Sequence, residues 1–218
     1  MGFMESKKFH LLLLASFIGL LIWSLINPED IITWFFEVMP IILIIILLIY
    51  YYSCFQFTDL AYLLIWIDAV IILVGGHYTY SKVPLFTWLK DIFHLSRNHY
   101  DRFGHFFQGF SPAIVFREVF IRKSILPKGK LLFFIIIAIC LSISTAYELI
   151  EFAAAKLLGS NAKAFLGTQG DQWDSHWDML FALVGTLSAL LLLKDYHDQL
   201  LEKKKGQLNV KSPYLKHK

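Results

Sequence analysis

Acidic residues and one histidine recur at helical spacing in three separate stretches of this sequence. Residues three or four positions apart lie on the same face of a helix, so each pair presents both side chains in one direction. Carboxylate and imidazole groups at such spacings are typical ligands for divalent metals in helix bundles. The pairs are Asp101 with His105, Glu148 with Glu151, and Asp174 with Asp178.

A divalent metal ion bound by these side chains would activate water against a phosphate or acyl group of an amphiphile. A carboxylate that does not bind the metal would then serve as general base. The candidate metal ligands are Asp101, His105, Glu148, Asp174 and Asp178. The candidate catalytic residues are Glu148, Glu151, Asp178 and His105. Because the sequence contains no Glu-x-x-His or His-Glu-x-x-His motif, the pattern leaves open whether the protein is an enzyme.

Four further polar residues are candidates for a substrate or ion pocket beside these pairs. Asp68 lies within a hydrophobic stretch, where an ionised aspartate costs about 2.5–3.5 kcal/mol on insertion scales. The pocket candidates are Asp171, Gln108, Arg102 and Asp68. His77 is a weaker candidate, and we expect Arg117 and Glu118 to pair structurally or to reach the membrane interface.

Two other functions fit the same residues. The acids could form a proton or cation relay at the mouth of a transport path, with Asp68 as the deep group. Alternatively, Arg97 and Arg102 could pair with the acids and hold the helices together without any ligand.

The elements that must position these residues are membrane helices. The chain is 57% hydrophobic and only 17% charged, whereas soluble domains are about 25% charged. Five hydrophobic stretches approach the roughly 20 residues needed to cross a bilayer, and a sixth, at 103–121, is more polar. The five are 9–26, 38–55, 60–80, 131–153 and 177–193. We therefore expect an all-α, polytopic membrane bundle whose first hydrophobic stretch is retained rather than cleaved.

Lysine and arginine placement favours six spans with both termini in the cytoplasm. If 103–121 crosses, the cytoplasmic segments hold thirteen of the twenty basic residues, and the first outer loop, "NPEDIITWFFE", is purely acidic. The six spans form one domain over 1–193, followed by a solvated basic tail over 194–218 that anchors the topology and binds no nucleic acid. The acid and histidine pairs then gather near the outer surface, which predicts an outward-facing polar pocket.

Helical phase separates a polar face from a lipid face in the last span. Asp171, Asp174 and Asp178 share a face that continues into small residues, which let a neighbouring helix approach closely. Those small residues are Ala182, Gly185 and Ala189. Trp173 and Trp177 lie on the opposite face, as expected at a membrane interface.

Three motifs resemble the YjdF-type family of bacterial inner-membrane proteins: "YDRFGHFFQGF", "YELIEF" and "GTQGDQWDSHWDM" followed by Gly185. The similarity covers most of the chain after residue 40. It implies a polytopic, all-helical protein of the cytoplasmic or inner membrane and carries no assigned activity.

The sequence also resembles VanZ-like membrane proteins, which are associated with the cell envelope and glycopeptide resistance. Asp101, Arg102, His105 and Phe106 fit one part of that family's pattern, with Arg in place of Lys. Glu148 fits the second part, but Glu151 replaces Gln. Asp178 and Gly185 fit the third, where Ala182 replaces Asn. The resemblance implies an envelope or lipid-linked substrate, with the lipid bilayer as a further partner.

Overall fold

A computed structural model describes residues 3–158 and 169–211, with side chains described over 6–154, 156 and 169–206. Within these residues the chain is helical and contains no β-strand, which confirms the expected all-α class. A 3-10 turn, Tyr80–Lys82, follows the third helix. The helices are α1 (Phe3–Leu25), α2 (Ile31–Tyr51), α3 (Asp59–Tyr78), α4 (Pro84–Ile92), α5 (Tyr100–Arg122), α6 (Lys130–Leu158), α7 (Asp174–Leu192) and α8 (Lys194–Lys211).

Five of these helices are long and apolar enough to cross a membrane. The candidate crossing segments are Ser6–Leu25, Ile31–Tyr51, Asp59–Tyr78, Lys130–Ala154 and Asp174–Leu192. Their outer faces carry large exposed apolar side chains such as Leu47, Phe134 and Leu191. Exposure of this apolar surface to water would be unfavourable, whereas lipid chains would cover it.

The second helix starts earlier than the sequence predicted. Asp30 caps α2 by accepting a hydrogen bond from the backbone N–H of Thr33 at 2.6 Å, so the helix begins at Ile31. Residues 31–37 are therefore helical rather than part of a loop, and the candidate span runs over Ile31–Tyr51 instead of the predicted 38–55. The hydrophobic stretch alone did not extend to this segment, whose Glu37 is buried inside the bundle.

The first three helices run in alternating directions between two ends of the bundle. Near the start of α1, His10 lies 2.9 Å from the Tyr52 hydroxyl and 2.9 Å from Asp59, which joins the end of α2 to the start of α3. We call this the tail end. At the other end, the backbone N–H of Glu29 donates to the carbonyl of His77 at 2.9 Å. We call that the site end.

The most extensively packed helix is α5, which contacts α3, α6 and α7. The segment just before it meets the start of α7 at the site end, where Arg97 pairs with Asp174. Near its other terminus, Glu118 bonds to Thr58 at the tail end. Because protein surrounds α5, its polar residues are buried against other helices, as expected for polar groups at membrane depth.

Two glycines allow α5 and α7 to pack at close range. A Cβ on Gly109 would overlap the carbonyl oxygen of Ala182, and one on Gly185 would overlap the carbonyl oxygen of Phe106. The Thr186 hydroxyl adds a hydrogen bond to the carbonyl of Gly109 at 3.2 Å. Ala182, Gly185 and Ala189 are all buried, so the small-residue face lies in this contact. Trp173 and Trp177 are exposed on the other side.

The beginning of the basic tail is a helix that packs against the rest of the protein. Residues Lys194–Lys211 form α8, in which His197 and Leu201 are buried. Lys204 donates to the carbonyl of Phe57 at 2.7 Å. The expectation of a wholly solvated tail is therefore wrong over 194–204, because apolar and polar residues at helical spacing pack against the tail end. Residues 212–218 lie outside the described residues.

Candidate functional site

Three helices bring acidic residues and a histidine together at the site end. His105 on α5 lies with its Nε2 atom 3.3 Å from Glu148 Oε1 on α6 and 3.8 Å from Asp101 Oδ1. Its other nitrogen, Nδ1, lies 3.3 Å from the hydroxyl of Ser144. All four side chains are buried. The predicted pair on α5, Asp101 and His105, thus lies against Glu148 of the predicted pair on α6.

Asp101, His105 and Asp178 form the tightest group with metal-binding chemistry among the described residues. One ligand atom from each lies within 4.8 Å of the other two. Ligand atoms about 2 Å from one cation lie at most about 4 Å apart, so atoms within 4.8 Å of one another need only a small side-chain movement to bind one ion. The group combines one nitrogen and two carboxylate oxygens from two helices, which are ligands that Zn²⁺ and similar ions accept.

Two buried oxygens in this cluster accept no hydrogen bond. They are Asp178 Oδ1 and Glu148 Oε1, whose residues are 2% and 7% exposed, although Glu148 Oε1 lies at ion-pair distance from His105 Nε2. A buried carboxylate oxygen without a hydrogen bond is costly. Asp178 Oδ1, which lies beside potential metal ligands, is therefore available to a cation, a proton or a substrate group.

The other two acids of α7 and its preceding turn contact arginines. Arg97 pairs with Asp174, and Arg102 Nη2 lies 2.7 Å from Asp171 Oδ2. Cross-distances of 3.8 Å (Arg97 to Asp171) and 3.9 Å (Arg102 to Asp174) join these four residues into one network. Asp174 therefore sits in an arginine network, whereas Asp178, one turn further along α7, faces His105 and Asp101.

Two groups at the rim of this network have shifted pKa values. The backbone N–H of Trp173 donates to Asp171 at 2.9 Å and, with Arg102, lowers the pKa of the Asp171 carboxyl. Burial and the nearby Arg102 guanidinium lower the pKa of His99. The rim thus favours an anionic Asp171 and a neutral His99 near neutral pH.

Glu151 is buried one turn beyond Glu148, close enough to interact electrostatically with Asp101 and Asp178. Gln108 lies one turn beyond His105, and its buried Oε1 atom accepts no hydrogen bond. Gln108 and Asp68 both line an adjoining cavity. The structure thus brings two predicted pocket residues, Asp68 and Gln108, to one space, whereas Asp171 and Arg102 are not among the residues that line it.

A cavity of about 320 Å³ extends from the cluster between α2, α3, α5 and α6. Its polar part includes Asp101, His105 and Tyr147, and the remainder is mainly apolar. The lining residues are Glu37, Pro40, Ile41, Ile44, Leu48, Ile65, Asp68, Ile72, Tyr80, Asp101, Gly104, His105, Gln108, Ser111, Pro112, Val115, Phe116, Ile143 and Tyr147.

Sequence reasoning missed Glu37 and Tyr80 and placed Tyr147 only at the edge of a polar face. Glu37 is buried on α2 and accepts a hydrogen bond from the Tyr147 hydroxyl. The signal that would have found it is the N-cap at Asp30, which makes Glu37, Ile41 and Ile44 one helical face. Tyr80 packs over Gly75, where an added Cβ would meet its ring at 2.5 Å.

Three other residues that the sequence singled out lie away from the cluster. His77 Nδ1 lies 3.1 Å from the carbonyl oxygen of Ser24, and its ring packs on Trp23. Arg117 and Glu118 pair structurally near the tail end, as predicted, with His197 as a shared neighbour at 3.0 Å and 3.3 Å.

Comparison with known proteins shows that this chain is similar to membrane proteins. Residues 9–199 match the family described as "Predicted membrane protein (DUF2238)". The chain is also 43% identical over 178 residues to "Inner membrane protein YjdF" of Escherichia coli (strain K12), which covers 82% of this chain and 85% of the relative. No solved structure matches this chain. The expected resemblance to the YjdF-type family is confirmed.

Proposed function

The chain belongs to the DUF2238 family of membrane proteins, and from that premise we propose that its site-end pocket binds a divalent cation. The proposed ligands are Asp101, His105 and Asp178, with Glu148 in reach of the same space. The pocket recognises or acts on a lipid-linked or cell-envelope amphiphile. The proximity of Asp101, His105 and Asp178, with ligand atoms within 4.8 Å, carries this proposal.

The adjoining cavity favours an amphiphile over a transported ion. Polar residues lie at the site end of the cavity, and Asp68 is about midway along α3. Beyond Asp68, the cavity residues nearer the tail end, such as Leu48, Ile65 and Phe116, are apolar. A cation or proton path needs polar groups across the bilayer. The described lining instead supports a bound molecule with one polar and one apolar part.

We also propose that α5 crosses the membrane in addition to the five candidate spans, which makes six. Both termini and α8 then lie in the cytoplasm. Two observations support this topology. First, α5 has 23 residues and extends between both ends of the bundle. Arg97, just before its start, pairs with Asp174 at the site end, and Glu118, near its end, accepts a hydrogen bond from Thr58 at the tail end. The basic residues also concentrate in the segments that this topology leaves inside.

Cation binding is tested by thermal unfolding of the chelator-treated protein after addition of Zn²⁺, Mn²⁺ or Mg²⁺. A cation at 100 times its Kd stabilises the folded state by about 2.7 kcal/mol, and Tm rises accordingly. We expect His105→Ala and Asp178→Asn to remove the rise. Asp59→Asn, which changes an acid at the tail end, is the control and keeps it. An unchanged rise in the first two variants would refute these ligands.

Topology is tested by reporter fusions placed after residue 99, after residue 126 and at the C-terminus. Six spans predict an external reporter at the first position and internal reporters at the other two. A C-terminus outside the cytoplasm would exclude α5 as a crossing helix.

A further inference from the structure

The cavity between α2, α3, α5 and α6 has the shape and lining of a slot for a hydrocarbon chain with a small polar head. On α2 the lining runs from Glu37 to Leu48. These twelve residues are separated by eleven rises of 1.5 Å, which correspond to about 16 Å along a helix. The volume of about 320 Å³ is at the lower end of the range for ligand pockets, roughly 300–1,000 Å³. The length and the volume of the cavity together suit one hydrocarbon chain rather than two.

The cavity reaches the membrane-facing surface of the bundle. Ile44 lines it and is 45% exposed on α2, and Pro40, also exposed, lies one turn nearer the site end. Both belong to a helix that is long and apolar enough to cross the bilayer. An occupant can therefore enter sideways from the lipid, without passing through the aqueous phase on either side.

The polar part of the lining carries no lysine or arginine among the residues that the structure describes. Its ionisable groups include the acids Glu37, Asp68 and Asp101, together with His105. In the cation-free protein, a phosphate or carboxylate head would meet these three acids with His105 as the single group that can carry a positive charge. Charge complementarity thus selects a head without net negative charge.

The uncharged groups at the polar end favour hydroxyls over an ammonium ion. Tyr80, Gln108 and Ser111 line the cavity and offer donors as well as acceptors. Ser111 is 1% exposed and its hydroxyl oxygen has no hydrogen-bond partner. An ammonium head only donates hydrogen bonds and cannot satisfy tyrosine, serine and amide donors. A hydroxyl both donates and accepts, so it matches this mixed lining.

From these observations we infer that the cavity binds a single-chain amphiphile with an uncharged, hydroxyl-rich head, of the glycoside class. The head lies among Tyr80, Gln108 and Ser111, and the chain lies along Ile41, Ile44, Leu48, Ile65, Val115 and Phe116. The inference rests on the proposed function, of which it names the amphiphile, but it does not require the cation.

The experiment uses the chelator-treated full chain in phosphatidylcholine nanodiscs and a decyl glucoside with a photoreactive diazirine near the end of its chain. We expect saturable labelling of the apolar cavity residues, mapped by mass spectrometry. Unlabelled decyl glucoside should compete, whereas decyl phosphate and decylammonium should not.

Two isoleucines of α2 provide a matched pair of variants. Ile44 lines the cavity, whereas Ile46, two residues away, faces outward with 55% exposure and does not line it. We expect Ile44→Trp to weaken binding of the glucoside about tenfold, equivalent to about 1.4 kcal/mol, and Ile46→Trp to leave it unchanged. Because both sites are exposed, both variants should fold. Val115→Trp, which fills the slot from α5, gives a second independent reduction.

Each outcome has a separate meaning. Unsaturable labelling, equal labelling of Ile44→Trp and Ile46→Trp, or equal competition by the phosphate or ammonium amphiphile would overturn the inference. If cation-dependent stabilisation is present in the same preparation, the cation part of the proposed function survives that failure. Conversely, saturable labelling without cation stabilisation would overturn the cation site and leave the glycoside slot standing.

Discussion

The carboxylate of Glu118 accepts hydrogen bonds from both the backbone N–H and the hydroxyl of Thr58, at 2.9 Å and 2.7 Å. Thr58 is the N-cap of α3, so this contact joins the end of α5 to the start of α3. Arg122 lies 2.6 Å from the same carboxylate, and His197 of α8 lies 3.3 Å from it. One fully buried acid therefore holds three elements together at the tail end.

Replacing Glu118 with alanine should destabilise the protein by about 3–5 kcal/mol, the usual cost of breaking a buried ion pair by removing one partner. The Thr58 cap, Arg122 and His197 would each lose an acceptor. Thermal or denaturant unfolding in detergent measures the change. Glu202→Ala, an exposed acid on α8, should change stability by less than about 0.5 kcal/mol. Equal effects of the two variants would contradict the anchoring role.

Gly185→Ala should destabilise the contact between α5 and α7. The added methyl would overlap the carbonyl oxygen of Phe106, which belongs to helix backbone and cannot rotate away. Overpacking of this kind costs about 1–3 kcal/mol or more. Gly19→Ala is the matched control, because a Cβ there meets no atom within 4 Å. A lower Tm for Gly185→Ala but not for Gly19→Ala is the expected result.

Arg97→Gln should be more damaging than Arg102→Gln. The Arg97 side chain is 4% exposed and its partner Asp174 7%, whereas Arg102 contacts Asp171, which is 28% exposed. Leaving the buried Asp174 without this partner should cost about 3–5 kcal/mol, and water can solvate Asp171. Unfolding midpoints of the two variants test the order, and a reversed order would contradict the arrangement.

Tyr147→Phe should remove the hydrogen bond to Glu37 and lower stability by about 0.5–1.5 kcal/mol, the usual net contribution of a hydrogen bond. The loss should be smaller in a Glu37→Ala background, because the acceptor is then absent. A double-mutant cycle over these two positions measures the coupling. Additive effects would mean that the two side chains do not interact in the folded protein.

Docking of α8 should depend on pH through Asp198. Burial alone would raise the pKa of this carboxyl, but hydrogen bonds from Arg117 and Lys128, both at about 2.8–2.9 Å, lower it below its usual value. A lowered folded-state pKa stabilises the protein above the unfolded value of about 4, and the stabilisation is lost as pH falls through the folded-state pKa.

Asp198→Asn should therefore lower Tm at pH 7 but have no effect once Asp198 is protonated in the wild type. At neutral pH the expected loss is of the order of 1 kcal/mol, since the side chain is 25% exposed and partly screened. Unfolding curves from pH 7 to about pH 3 test the sign. A difference between the two proteins that grows on acidification would refute it.

Much of the architecture was predictable because lipid imposes simple rules on sequence. Apolar stretches of sufficient length marked five membrane-competent helices, and the small residues Ala182, Gly185 and Ala189 marked the packing face of α7. The bounds were less predictable. The beginning of α2 depends on the Asp30 cap rather than on hydrophobicity, and α8 packs through His197 and Leu201 within a strongly basic segment.

The candidate site was predictable only as a set of faces. Spacing placed Asp101 with His105 on one helical face because the α-helix repeats every 3.6 residues. Spacing did not show that Asp174 would pair with Arg97 while Asp178, four residues later, would join His105. That division depends on how far α7 is rotated against α5, which the two glycine contacts determine.

By itself, the sequence determined the helical class, the membrane location and the helix faces that carry acids, because these follow from hydrophobicity and helical period along one segment. Only the tertiary structure decided which acids pair with an arginine and which remain available for a ligand. It also decided that Glu37 of α2 shares a cavity with His105 of α5. The reason is physical: local period specifies the direction of a side chain on its own helix. Distances between helices depend on packing at places such as Gly109 and Gly185, where a single methyl group would move the whole site.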